Sequence, residues 1–150
     1  MKHKKKELPL IGWREYVALP NLEIEKIKVK IDTGARTSTL HAFNIHSYKE
    51  KDGEMLCFQV HPIQRETKTT VKCIAPLLEY RNITDSGGHT QVRPVILTTV
   101  HLGSYLWNIE LTLTNRDVMG FRMLLGRQAI KKRFLVDSGK SFLYHNFSSS

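Results

Sequence analysis

Ile31-Asp32-Thr33-Gly34-Ala35 is the most informative stretch of this chain of 150 residues. An apolar residue at the end of an alternating segment leads an aspartate into a turn of threonine, glycine and a small residue. In such a turn the threonine hydroxyl can hydrogen-bond beneath the carboxylate, and the glycine lets the backbone approach closely. Taken alone, however, Asp-Thr-Gly is more often an ordinary turn at the end of a strand.

The segment before this turn alternates between apolar and polar residues, which is the period of a β-strand. Ile27, Val29 and Ile31 alternate with three lysines, so one face of the strand is predicted to be dry and the other basic. The same alternation occurs in 56–60 and in the long segment 105–114. Turn residues separate these segments, and there is no internal repeat or linker. The sequence therefore predicts one all-β domain with one or two short helices.

A second informative segment is Met123-Leu124-Leu125-Gly126-Arg127, which precedes the predicted helix 127–134. Ala129, Ile130 and Phe134 have helical spacing in this segment. After the helix we predict two brief strands, at 134–136 and 142–144.

These two segments resemble the catalytic core of retropepsins, in which an Asp-Thr-Gly strand end lies beside an apolar-Gly segment that runs into a helix. The resemblance extends from Ile11 to Tyr144 and is to the small retropepsin-like aspartic endopeptidases of bacteria and archaea. Some members of that family accompany ATP-grasp glutamate ligases. The blocks that carry it are IGWREYVALPNL, KIDTGARTSTLHAF, LTLTNRD, MLLGRQAI and FLVDSGKS.

The resemblance implies a retropepsin-like acid-protease barrel that supplies one catalytic aspartate per chain and works as a homodimer. Two facing carboxylates share one proton, so that one acts as general base on a water while the other donates to the scissile carbonyl. A chain of this length has room for one such domain, which also favours a dimer. The residues assigned to the site are Asp32 as catalytic group, Thr33, Gly34 and Ala35 as support of its loop, and Leu124, Leu125, Gly126 and Arg127 as the structure packed beside it.

Two further turns resemble the catalytic one in composition. Asp137-Ser138-Gly139 lies close to the end of the chain, so we predict an ordinary hairpin turn there. Ser86-Gly87-Gly88 lies between two β-rich runs. By analogy with retropepsins it is either the tip of a flap that binds substrate or a plain loop.

The chain departs from viral retropepsins at Arg36. In those enzymes an acid at this position pairs with the arginine that corresponds to Arg127, and two cations cannot form that pair. Arg127 is therefore expected to pair with Asp117 or Glu15, or to face the cleft. We hypothesise that Arg36 gives the cleft a positive lining suited to acidic peptides; the alternative is a structural hydrogen-bond network.

Charge is unevenly distributed along the chain. Lys and Arg number 23 against 14 Asp and Glu, which gives +9 at pH 7. We predict that 1–10 is a flexible basic arm and 11–147 a single retropepsin-like domain. A second basic concentration lies at 116–133. Both are typical of solvated surface, but they also allow a different function, that of a non-catalytic basic β-barrel binding RNA or an acidic protein.

The sequence lacks the motifs of several other functional classes. The sequence has no run of about 18 apolar residues, so it predicts no membrane span. Cys57 and Cys73 lack CxxC spacing, so free thiols in the cytoplasm are expected. Some family members are described as ATP-dependent zinc proteases, but the chain has neither an HExxH motif nor a phosphate-binding loop, so no metal or cofactor is predicted.

The sequence thus favours an aspartic endopeptidase that hydrolyses peptide or glutamyl amide bonds through a pair of Asp32 side chains. The expected partners are a second copy of the chain and a peptide or polyglutamylated protein as substrate, with no membrane involved. Binding of nucleic acid is the less favoured alternative.

Overall fold

The computed structural model describes residues 7–116 and 120–144. Strand-forming sequence dominates these residues, and a single turn of 3-10 helix, Pro20–Leu22, joins the first two strands. The elements are β1 (Leu10–Leu19), β2 (Ile24–Asp32), β3 (Ser38–His41), β4 (Phe43–Glu50), β5 (Gly53–Val60), β6 (Val71–Pro76), β7 (Glu79–Thr84), β8 (Thr90–Leu102), β9 (Tyr105–Thr114), β10 (Met123–Gly126), α1 (Arg127–Ile130) and β11 (Leu135–Ser141).

Six strands form a closed barrel in the order β1-β2-β10-β3-β9-β8, and the pairing of Ala18 with His101 joins β8 back to β1. β11 extends the sheet beyond β1, and β7 extends it beyond β8. The strands β4, β5 and β6 form a separate antiparallel sheet. This architecture confirms the all-β barrel prediction, with α1 as the short helix.

The core follows the alternation of the sequence. Ile27, Val29 and Ile31 are buried in the barrel, whereas the intervening lysines face outward. The alternating residues of 56–60 place Leu56, Phe58 and Val60 in the same core, so the small sheet packs onto the barrel. Burial of this many branched and aromatic side chains is the main contribution to stability.

The two cysteines lie on neighbouring strands but on opposite faces. Cys57 pairs with Ile74, whereas Cys73 pairs with Phe58, so successive residues point away from each other. Both thiols are free, as predicted. Burial, together with the nearby charge of Glu23, raises the pKa of Cys73 to about 12. The thiol is therefore protonated at neutral pH, and its reactivity is low.

The predicted hairpin turn at Asp137-Ser138-Gly139 is wrong. These residues lie within β11, which runs parallel to β1. Gly12 pairs with Asp137 and Arg14 with Ser141, so the extra residues of β11 form a bulge. A hairpin would need a returning strand, but the predicted strand 142–144 does not form.

Instead, the segment after β11 is bonded to a buried carboxylate. Glu15 is fully buried in β1, and its Oε2 accepts hydrogen bonds from the backbone N–H groups of Gly12 (2.7 Å) and Leu143 (3.0 Å). Its Oε1 accepts a third, from Tyr144 N–H, at 3.3 Å. Glu15 thereby joins the segment after β11 to the barrel.

Replacing Glu15 with Gln is expected to destabilise the protein by about 2–3 kcal/mol, because an amide has one acceptor oxygen and presents its NH₂ group to a backbone donor. Urea unfolding would measure this change. Glu25→Gln is the matched control, since Glu25 is exposed on β2 and its loss should change stability by less than about 0.5 kcal/mol. Equal effects of the two substitutions would show that the buried carboxylate contributes nothing specific.

The ordered barrel begins slightly earlier than the predicted domain boundary. Leu135 N–H donates to the carbonyl of Pro9 at 2.9 Å, and Leu10 pairs with Leu135. Residues 1–6 of the predicted arm and 145–147 of the predicted domain lie outside the described residues. Among the described residues, no helix has the length and apolar character needed to cross a bilayer.

Candidate active site

Asp32 is the last residue of β2 and lies at the open end of the barrel. β10 runs parallel to β2 and pairs Gly126 with Asp32, while its other edge is antiparallel to β3. The strand that ends in Asp32 has neighbours on both sides, since β1 pairs with β2 as far as Lys30 and β10 pairs with Asp32 itself. A side chain on a strand that is paired in this way is held more precisely than one on a free loop.

The Asp32 carboxylate is anchored through one oxygen. Oδ1 accepts hydrogen bonds from the N–H groups of Gly34 (3.1 Å) and Ala35 (3.2 Å). The Ala35 N–H also lies 3.2 Å from the Asp32 carbonyl oxygen, which closes the turn. Oδ2 makes no hydrogen bond with a described residue, and the side chain is partly exposed. One oxygen is therefore held while the other is available to a water or a second carboxylate.

Thr33 supports the loop differently from the prediction. Thr33 is exposed, and its hydroxyl makes no hydrogen bond with a described residue. Its backbone carbonyl instead accepts a hydrogen bond from Arg127 Nη1 at 3.0 Å. The hydroxyls beneath the loop come instead from residues not singled out in the sequence. Ser38 Oγ accepts from Gly126 N–H at 3.0 Å, and Thr112 Oγ1 donates to the Ser38 carbonyl at 3.0 Å.

The start of α1 is bonded directly to the Asp32 loop. Arg127 N–H donates to the Ala35 carbonyl at 2.7 Å, and Gln128 N–H donates to the Arg36 carbonyl at 3.1 Å. Gly126 permits this close approach, because a Cβ there would lie 2.7 Å from the carbonyl carbon of Thr37. Helix and loop therefore form one unit.

The two leucines before Gly126 have different surroundings. Leu125 is fully buried in the core, whereas Leu124 is 8% exposed and lines the cleft. The structure thus brings the two predicted segments, at 31–36 and 123–127, together at one end of the barrel.

The Gly-rich turn is the tip of a hairpin between β7 and β8. Asp85 Oδ1 accepts from the N–H groups of Gly87 and His89, each at 2.9 Å. These bonds, that of His89 foremost, lower the pKa of Asp85. Gly88 has φ +85°, a conformation that favours glycine.

Of this hairpin turn, Asp85 and Ser86 line the same cleft as Asp32. Gly87 and Gly88 shape the turn without lining the cleft. The hairpin is thus placed as a flap would be, with Ser86 facing the space that Asp32 also faces.

The cleft between the Asp32 loop, the hairpin, β9 and α1 is open and has a volume of about 1550 Å³. Its lining is strongly basic, and most of these cations come from segments far apart in the sequence. The arginines that line it are Arg36, Arg81, Arg93, Arg116, Arg127 and Arg133. The carboxylates that line it are Asp32, Asp85 and Glu110.

Arg127 faces this cleft and does not pair with Glu15, whose oxygens are taken by backbone donors. The other expected partner, Asp117, lies outside the described residues. Arg36 is exposed and forms no ion pair with a described residue, so its side chain adds positive charge to the cleft.

Among the cleft carboxylates that the structure describes, two are already engaged. Glu110 Oε1 lies 2.8 Å from Arg81 Nη1, and Asp85 holds the hairpin turn. All three carboxylates are thus bonded to described residues through one oxygen, and Asp32 differs in lying at the end of β2, paired with Gly126. A single carboxylate cannot serve as both the acid and the base of an aspartic peptidase.

The cleft does not fit a zinc ion. Zinc sites in proteins are built mainly from histidine and cysteine, with carboxylates as further ligands, but no histidine or cysteine is among the residues that line the cleft. In the described part of the chain, no three His, Cys, Asp or Glu side chains are grouped to hold a metal. His41 Nε2 lies 3.1 Å from the carbonyl of Asn115, and His46 lies exposed on β4.

A closed barrel with an aspartate at a strand end, a glycine-supported helix beside it and a hairpin over the cleft defines the retropepsin class of fold. Comparison with known proteins agrees. The family described as retropepsin-like aspartic endopeptidase RimB matches residues 10–146, and the chain belongs to this RimB-like family.

The curated relatives are larger proteins. One from Shewanella halifaxensis, described as "Probable alpha-L-glutamate ligase", is 44% identical over 133 residues, which is 89% of this chain and 29% of that protein. One of the same description from Parasynechococcus marenigrum is 44% identical over 128 residues, or 85% of this chain and 28% of that protein. The chain thus spans less than a third of the curated relatives it matches.

A solved structure is also similar. A crystal structure of a protein of unknown function from Legionella pneumophila superposes with a TM-score of 0.73 at 27% identity. The match covers 91% of this chain and 98% of that one, so the likeness extends over the whole barrel.

Proposed function

We propose that this chain is an aspartic peptidase whose catalytic dyad forms between Asp32 of one copy and Asp32 of a second copy. The supporting observation is that Asp32 lines an open cleft at the end of β2 and is held through Oδ1, while Oδ2 has no partner among the described residues. Of the other two described carboxylates of the cleft, Glu110 pairs with Arg81 and Asp85 bonds to the hairpin turn. A two-fold axis near the open end of the barrel would supply the missing carboxylate.

In this mechanism the two carboxylates share one proton, because like charges this close cannot both ionise. The ionised aspartate takes a proton from a water, whose oxygen attacks the scissile carbonyl carbon, while the protonated aspartate donates to the carbonyl oxygen. The tetrahedral intermediate then loses the amine, which leaves with a proton from the dyad, while one hydroxyl of the intermediate returns its proton to the dyad and a carboxylic acid remains. The N–H groups of Gly34 and Ala35 keep the carboxylate oriented throughout.

The substrate we propose is an acidic peptide, including a glutamyl chain attached to a protein. Support comes from the six arginines of the cleft, of which Arg36 and Arg127 adjoin the loop of Asp32. Further support comes from the larger relatives, which are described as "Probable alpha-L-glutamate ligase". A chain of glutamates joined through α-amides presents one carboxylate per residue, which suits such a lining.

Hydrolysis of a Glu-rich peptide is expected to exceed that of its Gln counterpart by at least about tenfold in kcat/KM at low salt, since a charge-assisted hydrogen bond contributes about 1.5–3 kcal/mol. The preference should shrink at high ionic strength because salt screens exposed charges. Kinetic assays of both peptides at two salt concentrations would measure it. The same rate for both peptides, or no effect of salt, would contradict the acidic-substrate proposal but not the dyad.

The surroundings of Tyr16 and Trp13 support the enzyme over an RNA-binding module that stacks bases on these two rings. Tyr16 stacks on Phe142 with ring centroids 4.8 Å apart, and Lys26 Nζ lies 4.3 Å from the centre of the Tyr16 ring. Arg14 covers Trp13 at 4.6 Å. Stacking of nucleic-acid bases needs open ring faces, and here the chain's own side chains occupy them.

A further inference from the structure

Two arginines on the hairpin strands face each other but differ in their partners. Arg81 of β7 is directly opposite Arg93 of β8 in the antiparallel register. Arg81 is neutralised, since its Nη2 lies 3.1 Å from Glu79 and its Nη1 lies 2.8 Å from Glu110. Like charges directly opposite each other destabilise a strand pair. The two carboxylates beside Arg81 therefore reduce its electrostatic repulsion with Arg93.

Arg93 has no such neutralisation. Its Nε donates to the amide oxygen of Gln91 at 3.1 Å, and no described carboxylate pairs with it. Burial lowers the pKa of Arg93, and the charge of Arg116 lowers it further, against the opposing effect of Asp85. A guanidinium is thus partly withdrawn from water next to a second cation.

Arg116 follows the end of β9, where its N–H donates to Thr114 Oγ1 at 3.2 Å. It is exposed, lines the same cleft, and forms no ion pair with a described residue. A partly desolvated cation that is repelled by a second cation is costly to a fold, and such arrangements are concentrated at binding sites. An anion placed between them would relieve the repulsion.

We propose that Arg93 and Arg116 form a subsite that binds a carboxylate side chain of the peptide substrate. This inference rests on the proposed function, because it names the group that selects the substrate of that same cleft. Guanidinium groups match carboxylates in a planar, two-bonded geometry, which makes arginine the suitable residue at both positions. The subsite lies on the hairpin strand and the end of β9, separate from Arg36 and Arg127 on the Asp32 loop.

Binding and kinetics with two fluorescein-labelled peptides, one of alternating Glu and Ala and one of alternating Gln and Ala, would test the subsite. Fluorescence anisotropy with the full chain carrying Asp32→Asn measures affinity without hydrolysis. Arg93→Met and Arg116→Met are each expected to reduce the preference for the Glu peptide by about tenfold. Arg93→Lys should restore part of it, since a point charge is retained without the planar fork.

Lys72→Met is the matched control, because it removes one positive charge from an exposed position on β6, outside the residues that line the cleft. It should change the preference by less than about threefold, since salt screens an exposed charge outside the binding site. Equal losses from Lys72→Met and Arg93→Met would overturn the subsite in favour of the overall charge of the protein. An unchanged preference in Arg93→Met would overturn it as well.

Stability separates a binding role from a structural one. Arg93→Met should unfold at the same or a higher urea concentration than the parent chain, because it removes a partly buried charge that no described carboxylate pairs with. Strong destabilisation would instead assign Arg93 a structural role and overturn the proposal. Absence of hydrolysis by the unsubstituted chain, with the Glu preference in binding present and lost in Arg93→Met, would contradict the peptidase while leaving the subsite intact.

Discussion

Replacing Asp32 with Asn is expected to reduce kcat at least about 10³-fold while leaving the fold and the binding of acidic peptides intact. Asn occupies nearly the same volume and keeps an oxygen for the Gly34 and Ala35 N–H groups, so the loop should retain its conformation. It cannot accept a proton from water, and general acid–base catalysis contributes about 10²–10⁴-fold. Peptide hydrolysis, circular dichroism and anisotropy would measure the three properties.

The same variant tests whether the dyad is shared between two copies. If chains exchange and pair at random, a threefold excess of Asp32→Asn should reduce the activity of a fixed amount of unsubstituted chain to about one quarter. An active site complete within one chain would keep its full activity in the mixture.

Asp85→Asn is the control for the loss of kcat in Asp32→Asn, because the Asp85 carboxylate lines the cleft but holds the hairpin turn. A comparable loss of kcat in Asp85→Asn would contradict the assignment of Asp32 as the specific acid–base group.

Replacing Gly126 with Ala is expected to destabilise the protein by about 3 kcal/mol and to lower kcat/KM by about 10²-fold. The added Cβ would lie 2.7 Å and 2.8 Å from the carbonyl carbon and oxygen of Thr37, and 3.0 Å from the Ala35 carbonyl oxygen. All three are backbone atoms of the segment that follows Asp32, so relief of the clash must move that segment. Urea unfolding and peptide kinetics would measure the two effects.

Gly139→Ala provides the comparison, since a Cβ there would meet only the Asp137 side chain at 3.4 Å, an ordinary contact. It should leave activity unchanged and alter stability by less than about 1 kcal/mol. If Gly126→Ala behaved in the same way, the close approach between β10 and the Asp32 loop would have no energetic importance.

The parts of the site that the sequence predicts are those carried by local pattern. Strict alternation ending at Ile31, followed by Asp32-Thr33-Gly34-Ala35, specifies a strand that enters a turn. The apolar pair before Gly126 and the helix after it are equally local. Their juxtaposition depends on the parallel pairing of β2 with β10. Only the resemblance of the two segments to retropepsins predicts this pairing.

The parts that the sequence does not predict depend on distant partners. The sequence indicates only that Glu15 is a polar residue in a strand. It is a buried hydrogen-bond acceptor because the backbone N–H groups of Leu143 and Tyr144 lie against it. Arg93 and Arg116 line the same cleft because β8 and β9 both border it, whereas composition alone places the charges of 116–133 on a solvated surface. The bulge at Asp137 follows from register with β1, which turn propensity cannot reveal.

The bridge from Arg81 to Glu110 restricts which targets the cleft can accept. It joins β7 of the hairpin to β9 of the barrel wall, so the hairpin lies over the cleft as a roof with a contact to the wall. Under the proposed function, such a covered cleft suits a single extended strand better than a compact globule. Substrates are therefore expected to present the scissile bond in a loose tail or unstructured loop, whereas the same sequence inside a folded domain should be spared.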